Sequence, residues 1–368
     1  MPRPGKVIDA RGGVSDGTIV DIAFIGCGSH SFRNIYPCFH FLPVELKAVC
    51  DLNQERADAF GEKFGAESFT DYKKMLAETK VDVVFIVTGY DSAGRPLYPE
   101  IAKACLDAGC HVWMEKPPAA TSAELEVLKS FAASKGKTVL TGFKKMFFPC
   151  NEKAAELIQR DDFGDVSIAH FEYPLYIPSV DEFETYGSGT KVQKVLAFLD
   201  HICHPASIMV YLLGYPTQLI YHRNEFGAGT AHFKFQNDTT AEIHCNTGAC
   251  FDGGMEETKI FSKRGTQISI KNNNRITYHR NIGHEYGNEQ NYYTASPEET
   301  SATWEPEFSL GQLYNKGLFM LGYMNETNEI IQAAIEDREV KKGTLDQAII
   351  LTRIFEAFAQ GPDKLIDI

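Results

Sequence analysis

The run VDIAFIGCGSHS at residues 20–31 decides the fold. An apolar stretch ends at Gly26, and Gly26-Cys27-Gly28-Ser29-His30-Ser31 then follows the spacing G-x-G-x-x-G with serine in the last place. A strand that turns at once into a helix needs its first glycine for the tight turn. The second lets the backbone approach a pyrophosphate, and the amides at the helix start supply an anion site. The last place calls only for a small residue against the helix, which Ser31 satisfies. A plain strand-to-helix turn has the same spacing, so a second residue is needed to choose. Asp51, 25 residues beyond Gly26 at the end of a second strand-like run (ELKAVCD, 45–51), supplies it. Its carboxylate can accept hydrogen bonds from an adenosine ribose and repels a 2′-phosphate, which favours NAD over NADP. Arg56 is a nearby cation able to offset that repulsion, and Asp51 as a cap for a helix from residue 53 is the structural alternative.

Outward from this turn the pattern continues as a helix near 53–64, a short strand near 67–70 and the β-prone VDVVFIV at 81–87. A helix near 98–108, HVWM at 111–114, a helix near 121–135 and TVLTGF at 138–143 follow. Strands alternating with helices predict an α/β unit, a doubly wound parallel sheet of Rossmann type over 19–148. After residue 150 the rhythm changes. A helix near 149–160, strand-like segments at 165–176, an apolar helical stretch near 191–213 and alternating segments between 216 and 279 predict an α+β domain with a mainly antiparallel sheet, covering 149–368. Helices at 310–335 and 344–360 close the chain, the last able to pack back on the first domain. The loop at 280–306 has no clear element, and residues 1–18 read as a flexible extension before the first strand.

Length agrees with two domains, since 368 residues exceed one ordinary core. The formal charge of -13 would repel a phosphate backbone, which argues against nucleic acid. The start, MPRPGKVIDARGG, lacks the apolar core of a signal peptide and no stretch approaches 18 consecutive apolar residues, so a cytoplasmic protein without a membrane segment is expected. Nine cysteines without C-x-x-C spacing suggest buried thiols, not a disulfide framework or a zinc ribbon.

Two further places can carry chemistry. Glu115-Lys116-Pro117-Pro118 follows the HVWM strand at the carboxyl edge of the predicted sheet, where ligands of doubly wound folds bind. A lysine there reaches both a nicotinamide ribose and a substrate hydroxyl, or is simply solvated. In Leu-Asp-His-Ile-Cys-His-Pro, Asp200 and His204 stand at i, i+4, so a helix puts them on one face with the carboxylate able to orient the imidazole. Pro205 complicates this, because proline is easy only in a first turn and a helix starting near His204 leaves Asp200 in the approach. His201 and Cys203 offer a weak metal reading without third or fourth ligands, so no metal is expected.

Taken together, the glycine turn, Thr88-Gly89 after the fourth strand, DAGCHVWMEKP (107–117), TGFKKMFFP (141–149) and D-x-x-x-H (200–204) resemble the Gfo/Idh/MocA oxidoreductase family along nearly the whole chain. The resemblance implies a C-terminal domain whose open sheet supports a homo-oligomer, and reversible oxidation of sugars, inositols or derivatives with NAD. It implies a cofactor site of Gly26, Gly28, Ser29, His30, Asp51, Arg56, Thr88, Gly89, Glu115 and Lys116. Lys116, Asp200 and His204 match the family's catalytic Lys, Asp and His. These three with Lys145 and Tyr176 are expected at a small sugar, glycoside or polyol, with Tyr173 and Tyr186 as further candidates to stack on it. Four places depart from the family pattern: Gly89 for proline, Tyr98 for histidine, Met146 for arginine and Ser207 for aspartate. An inositol dehydrogenase, a ketosugar reductase and a non-catalytic dinucleotide sensor are the competing expectations.

Overall fold

Backbone amides and carbonyls of an apolar segment must pair on folding, and here parallel neighbours supply the partners. The computed structural model describes residues 2–8, 13–248, 256–281, 299–305 and 316–368. The described residues before 19 form a hairpin, which corrects the expectation of a flexible extension. β1 (Arg3–Ile8) folds back antiparallel on β2 (Val14–Ile25), Arg3 opposite Ile19 and Ile8 opposite Val14. This pairing satisfies the projecting half of β2, and Lys6 reaches Asp16 at 2.7 Å. In the other half of β2, Val20, Ile22, Ala23 and Phe24 have no exposed surface.

β3 (Val44–Cys50), β4 (Glu67–Phe69), β5 (Val83–Ile86), β6 (His111–Glu115) and β7 (Val139–Gly142) complete the first sheet in the order β4-β3-β2-β5-β6-β7, all pairs parallel. The strand order reverses between β2 and β5, which opens a crevice at their carboxyl ends beside Gly26. α1 (Gln54–Phe64), α2 (Tyr72–Glu78), α3 (Tyr98–Asp107) and α4 (Ser122–Lys135) connect the strands. After the glycine turn a π-helical turn (Ser31–Ile35) and a 3-10 turn (Tyr36–Phe41) replace the regular helix expected there. Pro37, at the start of the second, has no amide to continue the ladder.

α5 (Pro149–Leu157) leads into the second domain. Its sheet runs β15-β14-β13-β12-β8-β11-β10-β9-β16. The strands are β8 (Val166–Tyr173), β9 (Pro216–Arg223), β10 (Gly229–Phe235), β11 (Thr240–Cys245), β12 (Glu257–Ser262), β13 (Gln267–Lys271), β14 (Arg275–His279), β15 (Ser301–Trp304) and β16 (Ile366–Asp367). Only β8 and β11 pair in parallel; the other pairs are antiparallel. Alternating burial along β10 and β11 leaves one face covered and the other solvated.

α6 (Val180–Gly187) and α7 (Gln193–Leu213) lie on the covered side. Pro205 sits inside α7, which corrects the expectation of a helix starting near His204. The ring removes the bond to the His201 carbonyl, but thirteen buried residues from Val195 to Leu212 hold the helix in the core, and packing overrides propensity. α7 is long and apolar enough to cross a membrane, with mean hydropathy 1.4, yet 72% of that window is buried inside the protein, as in a core helix.

α8 (Lys316–Met320), α9 (Tyr323–Glu336) and α10 (Leu345–Ala359) return to the first domain. α10 packs on α4, where the Ser122 amide and hydroxyl donate to Glu356 at 2.8 and 2.7 Å and Arg353 donates to Glu126 at 2.9 Å. Part of the expected 280–306 loop and of the 310–335 helix falls outside the described residues, as does Cys250; the eight described cysteines are free and buried. Replacing Glu356 by Ala strands two partly buried donors of α4 and should cost about 1–3 kcal/mol. Chemical denaturation checks this, and unchanged stability would mean the α4–α10 contact contributes little.

Candidate active site

Gly26 has φ +106°, and a Cβ there would meet the Val87 carbonyl oxygen at 1.8 Å, so only glycine fits between β2 and the end of β5. Gly28 is the opposite case: a Cβ there meets nothing within 4 Å. Ser31, fully buried, donates from its hydroxyl to the Gly26 carbonyl at 2.7 Å and closes the turn, so the serine departure from the glycine pattern is a working substitution. Asp51 braces the same loop, accepting from the Cys27 amide at 2.8 Å and the Asn53 amide at 2.9 Å, with the Arg56 guanidinium 3.4 Å away. The cap of α1 is Asn53, which accepts from the Arg56 amide, so Asp51 is not spent as that cap. Ser29 is tied to Arg33 through its carbonyl.

The rest of the crevice is polar and partly unspent. His30 pairs through Nε2 with Glu115 at 2.8 Å, and its ring stands edge-on to Tyr323 of α9 at 5.9 Å. Burial pushes the Glu115 carboxyl up, but the His30 hydrogen bond and the nearby Lys116 charge outweigh it and hold the group below its ordinary value. Among the described residues, the buried Thr88 hydroxyl has no hydrogen-bond partner and a Cβ on Gly89 meets nothing within 4 Å, while the Thr88 carbonyl accepts from Tyr98 at 2.8 Å. Space over Gly28 and Gly89 and the Thr88 hydroxyl would suit a dinucleotide, which Gly26 to His30, Asp51, Thr88, Gly89 and Lys116 would hold.

At the mouth of this crevice Lys116, just past β6, donates to Asp200 of α7 at 2.7 Å, with side chains 15% and 29% exposed. Burial alone would lower the ammonium, but the charges of Asp200 and Glu115 raise it above the ordinary lysine value. The other Asp200 oxygen lies 3.5 Å from His201 Nε2. The expected Asp200–His204 hydrogen bond is therefore not what the carboxylate makes: it holds Lys116, while His204, one turn on, stacks on His201 at 6.1 Å and meets the Tyr173 ring at a tilt at 5.6 Å. Burial first, then the charges of Lys116, Lys145 and Lys144, push His204 well below the ordinary imidazole value. The site thus sets a charged donor beside a neutral imidazole.

Lys145 is 4% exposed, paired with Glu256 and set over the Tyr173 ring at 4.7 Å; burial pulls it down to about 8 despite that carboxylate. It belongs to the wall around His204. Tyr176 does not: its hydroxyl donates to Glu182 at 3.0 Å, Lys194 lies over its ring, and no hydrogen bond or ring contact among the described residues joins it to Lys116, Asp200 or His204. Tyr186 likewise donates to the Gly94 carbonyl at 3.2 Å. Ser207 gives its hydroxyl to the His204 carbonyl at 3.0 Å. Lys144 and Tyr323, joined at 2.7 Å, and Tyr90 near Asp200 and Glu115 are site residues that local pattern did not single out.

Residues 20–143 match the model of the GFO_IDH_MocA family, described as an oxidoreductase family with an NAD-binding Rossmann fold. A D-glucoside 3-dehydrogenase from Escherichia coli is 30% identical over 202 residues, 53% of this chain and 54% of that one. A D-xylose 1-dehydrogenase (NADP(+)) 2 from Haloferax volcanii is 26% identical over 153 residues, 41% of this chain and 46% of that one. The chain thus spans about half the length of these curated relatives. A dehydrogenase structure from Chromobacterium violaceum superposes with a TM-score of 0.77 at 19% identity, covering 94% of this chain and 95% of that one, which extends the shared fold to the second domain.

The glycines give a paired prediction. Gly28→Ala, which meets nothing in the protein, should leave the thermal midpoint unchanged while weakening dinucleotide binding about tenfold or more, whereas Gly26→Ala should destabilise the fold itself. Calorimetric titration with NADH alongside thermal melting checks both, and undiminished binding by Gly28→Ala would place the pyrophosphate elsewhere.

Proposed function

We propose, for this member of the Gfo/Idh/MocA oxidoreductase family, that the chain interconverts a ring secondary alcohol of a sugar or glycoside and the corresponding ketone with NAD, carbon 3 being the favoured position. The observation that carries the reading is the 2.7 Å Lys116–Asp200 pair one helical turn from a partly buried His204, whose imidazole burial and the nearby lysine charges push well below its ordinary value, at the carboxyl edge of the Rossmann sheet. An alcohol gives up its hydroxyl proton as its carbon loses a hydride, so the site needs a proton acceptor and a stabiliser of the developing alkoxide. His204, kept unprotonated, takes the proton on a ring nitrogen. Lys116, kept charged by Asp200, donates to the same oxygen. A nicotinamide dinucleotide held by Gly26 to His30, Asp51, Thr88 and Gly89 would supply the hydride acceptor for oxidation and the hydride donor for reduction. Lys145 and Tyr173 wall the pocket and exclude water from that side. Tyr176 has no part in this account.

The preference for NAD rests on Asp51 at the end of β3, whose carboxylate would repel an adenosine 2′-phosphate. Arg56 is held at that carboxylate at 3.4 Å. One relative is named as NADP-dependent, so the point has its own test. Asp51→Ala, which frees Arg56, should move the NAD to NADP preference towards NADP by about tenfold. An unchanged ratio would take the choice of cofactor away from this pair.

The function is tested with purified protein given NAD, then NADP, on glucose, simple glucosides and inositols. NADH formed on glucose or glucosides supports the proposal, and signal on inositols alone replaces the substrate class. Tight cofactor binding with no turnover in either direction overturns the enzyme reading in favour of a dinucleotide sensor. His204→Ala should lower kcat about a hundredfold or more with cofactor affinity intact; full activity would remove His204 from the acceptor role.

A further inference from the structure

Strand register on the solvated face of the second sheet brings together residues far apart in sequence. In the parallel pair β8–β11, His170 stands opposite Glu242; in the antiparallel pair β10–β11, His232 stands opposite it from the other side. His244, two residues beyond Glu242, points to the same face. Glu242 is the hub. One carboxylate oxygen meets His170 and lies 3.1 Å from His244 Nε2, and the other lies 3.4 Å from His232 Nδ1. The donor atoms of His170, Glu242 and His244 all fall within 4.8 Å of one another.

We propose that His170, Glu242 and His244 form a binding site for a divalent transition-metal ion, zinc above all, with His232 positioned as a fourth ligand. Two imidazole nitrogens and a carboxylate oxygen are a borderline donor set that suits zinc, copper or nickel and discriminates against magnesium and calcium, which prefer oxygen ligands. The local charge balance points the same way. Glu242 is largely buried, and among the described residues its ion-pair partners are imidazoles alone; neighbouring Lys259 is paired with Glu257 at 3.1 Å. A shielded carboxylate ringed by imidazole nitrogens presents a negative charge and nitrogen donors to a cation from one face. The ligands stand on adjacent strands of one hydrogen-bonded sheet, so the backbone preorganises them. Tetrahedral zinc sets its ligand atoms about 3.4 Å apart, which side-chain rotation reaches from the present spacing.

The site lies on the opposite side of the sheet from α7, which carries Asp200 and His204, so it is separate from the proposed redox centre. An ion there ties β8 to β11, the parallel pair at the middle of a long antiparallel sheet. Its consequence is therefore on the second domain's stability and on the chemistry of its open face.

The test is calorimetric titration of zinc into the full-length, NAD-loaded protein after treatment with chelator and removal of the chelator. The expected result is one ion per chain with a Kd in the micromolar range or tighter, weakened about tenfold or more by His170→Ala, by Glu242→Gln and by His244→Gln. His244 is 47% exposed, so its replacement should leave the fold intact, and melting curves check this. Zinc should raise the thermal midpoint of the parent chain and not of the variants, and magnesium should do neither. No zinc binding by the parent, or binding unchanged in all three variants, overturns the proposal.

Discussion

The 2.7 Å contact between Lys116 and Asp200 joins the two domains at the point where the chemistry is proposed to occur. Lys116 comes from the carboxyl end of β6 in the first sheet, Asp200 from the core helix α7 of the second domain, and neither position is surface-like. A buried ammonium without a partner would lose its proton more readily, because desolvation penalises the charged form and Lys144 repels it. With Asp200 in place the charge stays, and that retained charge, together with burial, keeps His204 neutral. The ion pair thus keeps the donor charged and, together with burial, pushes the imidazole towards its neutral form, the two states an alcohol oxidation needs together.

The architecture around this pair serves it. Parallel strands end at a common edge, and their order reverses beside Gly26, so the crevice forms without any special loop. α7 has to be deeply buried to bring Asp200 to that edge, and its apolar length is what secures it despite the interruption at Pro205. The returning helices close the arrangement: α10 clamps α4, and α9 sets Tyr323 between His30 and Lys144, so that the last fifth of the chain contributes to a crevice built by the first third.

Features carried by local spacing were legible in the sequence. Gly26 and Gly28, Asp51 at the end of β3, Lys116 after β6 and the i, i+4 pair Asp200 and His204 all follow from short-range geometry, as do the doubly wound sheet and the mainly antiparallel second sheet. What depended on distant contacts was not legible. Whether Asp200 would spend its charge on His204 or on Lys116, 84 residues away, is decided by how the domains dock. Lys145 was placed in the site, but its partner Glu256 lies 111 residues on. Tyr176 fits a sugar site by position alone and is claimed by Glu182. The hairpin of β1 and β2 was hidden by its polar alternation, and the His170, Glu242 and His244 cluster by strand register, which no spacing rule encodes. Pro205 shows local propensity losing to burial.

The central claim is that the Lys116–Asp200 pair and its surroundings hold His204 as a neutral proton acceptor. Titrating imidazole-labelled protein by NMR, with His204 assigned by its absence in His204→Ala, measures this directly. The account predicts that His204 remains neutral well below pH 6.5, the ordinary imidazole value. A His204 resonance that titrates at or above that value in the intact protein would contradict it.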